Sequence, residues 1–206
     1  MGITVLVVQH GDKVRSPGDP GLTGVGRRQA ASVAAWLSEN KPDVRWIWAS
    51  PLRRARETAA PIASAFQRDV QIDDRLRERM NWDDDTVLSL DRFLAEWQRA
   101  SEQRLYRPTA GDSSSEAAER FIAALVDIEE RVSAGTVIVV THGGVTTDTL
   151  RTLVGDDEVR DQRPDLIDSG VPCGAITELR VNDRAVTIVG YPSTDHLDEG
   201  SSHRPV

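Results

Sequence analysis

The 206-residue sequence has little of several residue types, and each shortage excludes a class of protein. Its single cysteine, Cys173, excludes an intramolecular disulfide and any metal site built from several cysteines. No apolar run approaches the roughly 20 residues that a transmembrane helix needs, so we expect no membrane span. The short run from Ile3 to Val8 has no cationic residue before it, which is unlike a secretory signal peptide. We therefore expect a cytoplasmic protein.

Lysine is also scarce, because only Lys13 and Lys41 are lysines and every other basic residue is an arginine. The formal net charge of −8 argues against a nucleic-acid binder, since phosphate backbones favour clustered cations. One explanation for the many arginines is codon bias in a GC-rich genome. The other is that a few of them form an anion-binding site inside an otherwise acidic protein. Composition leaves both explanations open.

Apolar runs of strand length alternate with helical patterns along the chain. Strands are predicted at Ile3–Val8, Val44–Ala49, Val70–Ile72 and Thr136–Thr141. Helices are predicted to begin near Thr23, Pro51, Ser113 and Val145. Ala175–Val181 and Ala185–Val189 predict a closing hairpin that turns at Asn182-Asp183. Alternating strands and helices favour a layered α/β domain with a mostly parallel sheet.

One segment differs in character from this alternation. Residues 81–115 carry Asp83, Asp84 and Asp85 before a helical pattern of Val87, Leu90, Leu94 and Trp97. We interpret this segment as a small helical insertion or lid, and the acidic triplet as a solvated helix start rather than a metal site. Residues 1–206 are then one domain with a loose tail at about 198–206.

Two histidines each follow an apolar strand and precede a glycine, namely His10 and His142. Because ligands bind at the carboxyl ends of parallel strands, we expect the two imidazoles to share a site. A metal site would need a third ligand, which His196 or Asp195 could supply, although nothing in the sequence brings them there. The other interpretation is nucleophilic catalysis by one imidazole inside a cage of hydrogen-bond donors.

The order of motifs resembles the histidine phosphatase superfamily, also called the phosphoglycerate mutase-like proteins. The segments VVQHGDKVRSPGDPGLTGVGRRQA, ASPLRRARETAAPIA, LRERMNWDD, GDSSSEAAERF and VIVVTHGGV follow the family's order from residue 3 to about 197. The resemblance implies a three-layer α/β/α domain with a mostly parallel central sheet.

The resemblance also implies roles for individual residues. His10 would be the nucleophile that becomes a transient phosphohistidine, and Arg54 would bind the phosphate oxygens. His142 would donate to the same oxygens, and Glu78 would act as general acid and base. Asp12, directly after Gly11, is the alternative acid. Neither a metal ion nor an organic cofactor is implied.

The first motif departs from the family, which has Arg-His-Gly where this sequence has Gln9-His10-Gly11. Gln9 donates neutral hydrogen bonds but brings no charge, and Ser16 stands where the family has an asparagine. We expect Gln9, Ser16 and Gly143 to line the phosphate pocket together with Arg54 and His142. Lys13 and Arg15, in the following loop, are candidates to restore the missing charge, and a solvated loop explains them equally well.

Three functions remain open. The one we favour is a metal-independent phosphatase acting on a small-molecule phosphate monoester. A second is a catalytically weakened protein that binds phosphorylated ligands or regulates a partner, and the least favoured is a phosphoglycerate mutase-type phosphotransferase. Trp82 is a candidate to contact the leaving group, while Trp46 and Trp48 suit a homodimer interface or the core equally.

Overall fold

The computed structural model describes residues 2–82 and 88–197, which form one six-stranded sheet with helices on both faces. The strands are β1 (Ile3–Gln9), β2 (Val44–Ala49), β3 (Val70–Ile72), β4 (Gly135–Thr141), β5 (Ile176–Asn182) and β6 (Ala185–Ser193). The helices are α1 (Gly24–Asn40), α2 (Arg53–Phe66), α3 (Leu90–Glu102), α4 (Ser114–Val132), α5 (Gly143–Val154), α6 (Asp156–Gln162) and α7 (Leu166–Ser169). A single 3₁₀ turn spans Asp74–Leu76.

The strand order is β3-β2-β4-β1-β5-β6. The first four strands of that order run parallel to one another, and β5 and β6 form an antiparallel hairpin at the other side. In the central pair, Ile3 lies opposite Gly135 and Gln9 lies opposite Thr141, so β1 and β4 end at the same level. The residues that follow these two strands therefore meet at one edge of the sheet.

Each strand of the central pair supplies side chains to two separate cores, because successive side chains point to opposite faces. Val5 and Val7 pack on one face in a cluster that includes Phe121 of α4. Leu6 and Val8 pack on the other face with residues of α1 and α2. The prediction of a three-layer α/β/α fold with a mostly parallel sheet is confirmed.

Two predicted helix starts have side-chain caps. The Thr23 hydroxyl accepts a hydrogen bond from the Gly26 N–H at 3.0 Å and caps α1. Ser113 and Glu116 cap α4 reciprocally, each side chain accepting from the other residue's backbone N–H. Both caps satisfy N–H groups that a helix start leaves without partners.

The hairpin turn lies one residue later than predicted. Asn182 pairs with Ala185, so the loop consists of Asp183 and Arg184, which have φ angles of 49° and 66°. Both N–H groups of the loop donate to the Glu129 carboxylate, at 3.0 and 3.1 Å. This contact, made by a residue far away in the sequence, stabilises a left-handed turn that holds no glycine.

Some predicted features lie beyond what the structure describes. Asp83, Asp84, Asp85 and Val87 fall outside the described residues, as does the tail at 198–206. The helix expected after the acidic triplet begins at Leu90, with the Ser89 side chain as its cap. Within residues 2–82 and 88–197, none of the helices is both long enough and apolar enough to cross a membrane.

Candidate active site

The two histidines meet at the edge where β1 and β4 end. The ring centroids of His10 and His142 are 5.1 Å apart, and the rings are inclined at 63°. Both imidazoles are buried, with exposures of 5% and 0%. The expectation that the two strand ends bring the imidazoles together is therefore confirmed, while their catalytic roles stay a prediction.

The hydrogen bonds of His10 fix which ring nitrogen carries the proton. Its Nδ1 lies 2.7 Å from the Gly11 carbonyl oxygen, which can only accept. The Arg54 Nε–H, which can only donate, points at His10 Nε2 from 3.2 Å. Burial, and then the charge of Arg54, lower the pKa of His10 to about 3. At neutral pH the ring is uncharged, with its proton on Nδ1 and a lone pair on Nε2.

Close packing holds the turn after His10. The Gly11 N–H donates to the Thr58 hydroxyl at 3.0 Å, and this hydroxyl donates to the Arg54 carbonyl at 2.8 Å. A Cβ on Gly11 would lie 2.4 Å from the Gly26 carbonyl oxygen, so a larger residue does not fit. Thr58 thus ties the nucleophile's loop to the helix that carries Arg54. Thr58 lies in the segment ASPLRRARETAAPIA, and nothing in that local pattern indicates this role.

The Ser50 hydroxyl orients His142 and was also missed. Ser50 Oγ lies 2.7 Å from His142 Nε2 and accepts a hydrogen bond from the Leu52 N–H at 3.3 Å. The hydroxyl keeps a second lone pair as well as its own proton, so it pairs with Nε2 in either tautomer of the ring. His142 Nδ1 is buried and has no hydrogen-bond partner among the residues described. Burial, Arg54 and His10 hold the pKa of His142 well below its usual value, so the ring is uncharged at neutral pH.

Arg54 is held from its far side by Asn81. Its guanidinium donates to Asn81 Oδ1 at 3.1 Å, and Asn81 Nδ2 donates to the Gly18 carbonyl at 2.8 Å. The Gly18 N–H in turn donates to the Trp82 carbonyl at 3.0 Å. Asn81 therefore links the loop after β1 to the segment after Glu78 and fixes the guanidinium between them. The local sequence around residue 81 indicates only the start of an insertion and not this contact with Arg54.

The Glu78 carboxylate lies at the start of α5, directly after His142. It accepts hydrogen bonds from the N–H groups of Gly144 at 2.9 Å, Val145 at 2.8 Å and Arg79 at 2.8 Å. Helix N-termini favour a negative charge at this place. A Cβ on Gly144 would lie 2.6 Å from Glu78 Oε1 and 2.7 Å from Trp97 Cη2. Glu78 is thus fixed at the start of α5, with Trp97 of α3 packed against the same glycine.

Next to Glu78, Arg79 is part of a buried ion pair that the local sequence does not predict. Its guanidinium donates to both oxygens of Asp148, at 3.0 and 2.9 Å, and these side chains are 2% and 1% exposed. The same guanidinium lies 4.1 Å from the centre of the Trp97 ring and donates to Ser101 Oγ. These contacts fix α3 and α5 to the segment that carries Glu78. The sequence signal, an arginine beside the acid, could not reveal a partner 69 residues away.

The other predicted residues, Gln9, Ser16 and the alternative acid Asp12, have surroundings that differ from one another. Gln9 is buried beside Gly143, where its Nε2 lies 3.3 Å from the position of a Cβ on the glycine, and its Oε1 has no partner among the described residues. Ser16 makes one hydrogen bond within residues 2–82 and 88–197, from its backbone N–H to Val14. The Asp12 carboxylate accepts from the Thr23 hydroxyl at 2.6 Å, which ties this alternative acid to the cap of α1.

Within residues 2–82 and 88–197, no third ligand joins the two histidines to complete a metal site. His196 Nε2 lies 3.0 Å from the Gly174 carbonyl, and its ring packs on Trp36 at 5.4 Å. Among the residues that the structure describes, no three His, Cys, Asp or Glu side chains are grouped so that they could hold a metal ion.

Comparisons with known proteins show the family of this chain and several relatives. The sequence profile of the histidine phosphatase superfamily (branch 1) matches residues 4–193. A metal-independent phosphoserine phosphatase of Arabidopsis thaliana is 29% identical over 68% of this chain, and the match spans 64% of that protein's length. A probable phosphoglycerate mutase GpmB of Escherichia fergusonii is 27% identical over 96% of this chain and 89% of its own length.

Solved structures show the same fold. A mycobacterial glucosyl-3-phosphoglycerate phosphatase superposes with a TM-score of 0.72 and 22% identity, covering 94% of this chain and all of the other. A phosphoserine phosphatase of Entamoeba histolytica, solved as a mutant with phosphoserine, superposes with a TM-score of 0.71 and 21% identity over 95% of this chain and 99% of its own.

Proposed function

Because the chain belongs to the histidine phosphatase superfamily, we propose that it hydrolyses a small phosphate monoester through a phosphohistidine on His10. The observation that carries the proposal is the state of the His10 ring. Its Nδ1 is bound to the Gly11 carbonyl, and its Nε2 lone pair faces the Arg54 guanidinium at 3.2 Å. A nucleophilic nitrogen therefore lies directly beside a cation that can bind a phosphate anion.

In the first step, the Nε2 lone pair of His10 attacks phosphorus and the bond to the leaving oxygen breaks. Glu78, protonated for this step, gives its proton to that oxygen, and the imidazole becomes a phosphohistidine. The Gly11 carbonyl, 2.7 Å from Nδ1, supports the positive charge that develops on the ring. Arg54 donates to the phosphoryl oxygens throughout the transfer, and Asn81 holds its guanidinium in position for this role.

In the second step, water attacks phosphorus and the N–P bond breaks. The Glu78 carboxylate takes the proton of the attacking water, and the electron pair returns to His10 Nε2. His142 donates its Nδ1–H to a phosphoryl oxygen in both steps, a role for which its neutral ring and unpartnered Nδ1 are suited. No step requires a metal ion.

The names of relatives support a phosphatase without selecting a substrate. Relatives are named phosphoserine phosphatase and glucosyl-3-phosphoglycerate phosphatase. For this chain, the insertion at about 81–115 serves as a lid of the same domain. This is supported by Trp97 of α3, which packs against Arg79 and would contact a Cβ on Gly144. The lid and the loop after β1 then contact the leaving group, and their shape determines which leaving groups fit.

A second candidate is a protein that binds phosphorylated ligands without efficient turnover. The observation that favours it is Gln9, which is buried in the pocket and carries no charge. A mutase is disfavoured on the same ground, since it must retain a phosphoenzyme in a strongly charged pocket.

Hydrolysis of an aryl phosphate, with and without a metal chelator, separates these candidates. We expect turnover that the chelator does not change and that His10→Ala abolishes, with the melting temperature of the variant measured to confirm folding. Strict dependence on a divalent ion would overturn the metal-independent mechanism. Phosphate binding without any turnover would establish the second candidate instead.

A further inference from the structure

Lys13 lies three residues after His10, in a part of the loop whose backbone is fixed on both sides. Lys13 pairs with Leu22 in an isolated antiparallel bridge. On one side the Thr23 N–H donates to the Asp12 carbonyl at 2.9 Å, and on the other the Val14 N–H donates to the Gly21 carbonyl at 3.0 Å. The root of the Lys13 side chain is therefore held in place three residues after His10.

The half-buried Lys13 ammonium makes no hydrogen bond or ion pair with any other residue described by the structure. The other lysine of the chain differs, because Lys41 forms an ion pair with Glu178 at 3.5 Å. Burial and the charges of Arg54 and Arg15 lower the pKa of Lys13, and its own charge lowers the pKa of both His10 and His142. Its electrostatic field thus reaches both imidazoles.

The site has a charge deficit that this cation would correct. Arg54 is the guanidinium that donates to His10, and both histidines are neutral. Gln9 stands at the end of β1 with an amide and no charge. A phosphate monoester carries close to two negative charges at neutral pH, so a single guanidinium leaves about one of them without a counter-charge.

We propose that Lys13 is the second phosphate-binding cation of this site and supplies the charge that Gln9 does not. The proposal rests on the proposed function only in that the pocket at His10 binds a phosphoryl group. A lysine suits the place because its ammonium is a compact charge on a flexible stem, which reaches an oxygen without needing a planar fork of donors.

Trace acetylation of the unmodified protein tests this placement without any assay of turnover. The two lysines are labelled with an amine-reactive acetyl donor, with and without saturating inorganic phosphate, and the labelling rates are read by peptide mass spectrometry. We expect phosphate to slow the labelling of Lys13 by about 5-fold or more and to leave Lys41 unchanged. Equal labelling of Lys13 with and without phosphate would overturn the proposal.

Substitution gives an independent measurement, with inorganic phosphate as the ligand and calorimetric titration as the readout. Lys13→Met should weaken phosphate binding about 10- to 100-fold, the range for a charge-assisted contact, and Lys13→Arg should retain most of the affinity. The matched control, Lys41→Met, should change it less than twofold. Wild-type affinity in Lys13→Met, or an equal loss in both methionine variants, would refute the role.

Moving the positive charge from residue 13 to residue 9 adds a test that is specific to this role. Gln9→Arg should restore phosphate affinity in the Lys13→Met background and gain less in the wild-type background, where the cation is already present. Equal gains in the two backgrounds would mean that residues 9 and 13 do not serve the same anion. Protection of Lys13 by phosphate in a protein without turnover would keep this proposal and reject the proposed phosphatase. Turnover without protection would do the reverse.

Discussion

Replacing Gly144 with alanine should destabilise the protein and disturb its catalytic acid. The new Cβ would lie 2.6 Å from Glu78 Oε1 and 2.7 Å from Trp97 Cη2, both well inside normal contact. The carboxylate cannot retreat without losing hydrogen bonds from Gly144 and Val145. The indole cannot retreat without leaving the Arg79 guanidinium, 4.1 Å from its centre. The methyl group therefore disrupts one of these two contacts.

The neighbouring glycine provides the matched control for the magnitude. A Cβ on Gly143 would find Gln9 Nε2 at 3.3 Å and Val171 N and O at 3.5 Å, contacts that small shifts relieve. Both substitutions lie in the first turn of α5, so the helix-propensity gain of up to about 1 kcal/mol is shared. Overpacking costs about 1–3 kcal/mol, and about 2–4 °C of melting temperature accompanies each kcal/mol at this chain length.

We therefore expect Gly144→Ala to melt about 2–12 °C below Gly143→Ala in parallel calorimetric scans. Its kcat should also fall more on alkyl than on aryl phosphates, because the displaced group is the proposed proton donor. Equal melting temperatures for the two variants would refute the packing of Glu78 and Trp97 against Gly144.

Three further outcomes follow from the site. Glu78→Gln should slow an alkyl phosphate far more than an aryl phosphate, a ratio that does not depend on the folded fraction; equal slowing would move the acid role elsewhere. His10 has its pKa lowered to about 3 by burial and Arg54, so the folded state resists protonation of this ring below its ordinary pKa of 6.5. The uncharged ring therefore makes its full contribution to the free energy of unfolding above pH 6.5. This free energy decreases as the pH falls, by about 2 kcal/mol at pH 5. Urea denaturation at pH 7 and pH 5 should show a loss about 2 kcal/mol smaller in His10→Gln than in wild type, since His142, whose pKa burial also lowers, adds a loss to both proteins. Asp148→Asn should cost about 3–5 kcal/mol in the same assay because it leaves the buried Arg79 unpaired, while Asp168→Asn, in a surface pair, should cost under about 1 kcal/mol.

The sequence predicts the pair of histidines well, for a physical reason. A parallel sheet brings the carboxyl ends of its strands to one edge, so two apolar runs that each end in His-Gly already indicate a common site. The caps at Thr23 and Ser113 are predictable in the same way, because capping is decided within four residues of the helix start.

Contacts between distant segments could not be predicted from local patterns. Ser50 and His142 are 92 positions apart in the sequence, and Asn81 and Arg54 are 27 positions apart. The hairpin turn was placed one residue early because Glu129, 54 residues before Asp183, stabilises positive φ at a position that the local sequence does not mark. Such contacts depend on how the layers pack, which residue types and spacing do not specify.

Trapping the covalent intermediate tests the central claim most directly. The protein is mixed with an aryl phosphate, quenched within milliseconds under alkaline conditions that preserve phosphohistidine, and digested for mass spectrometry. The mechanism predicts one phosphoryl group on the peptide that carries His10, formed at least as fast as kcat and absent from His10→Ala. Turnover with no phosphorylated histidine, or with the phosphoryl group on another residue, would contradict the account.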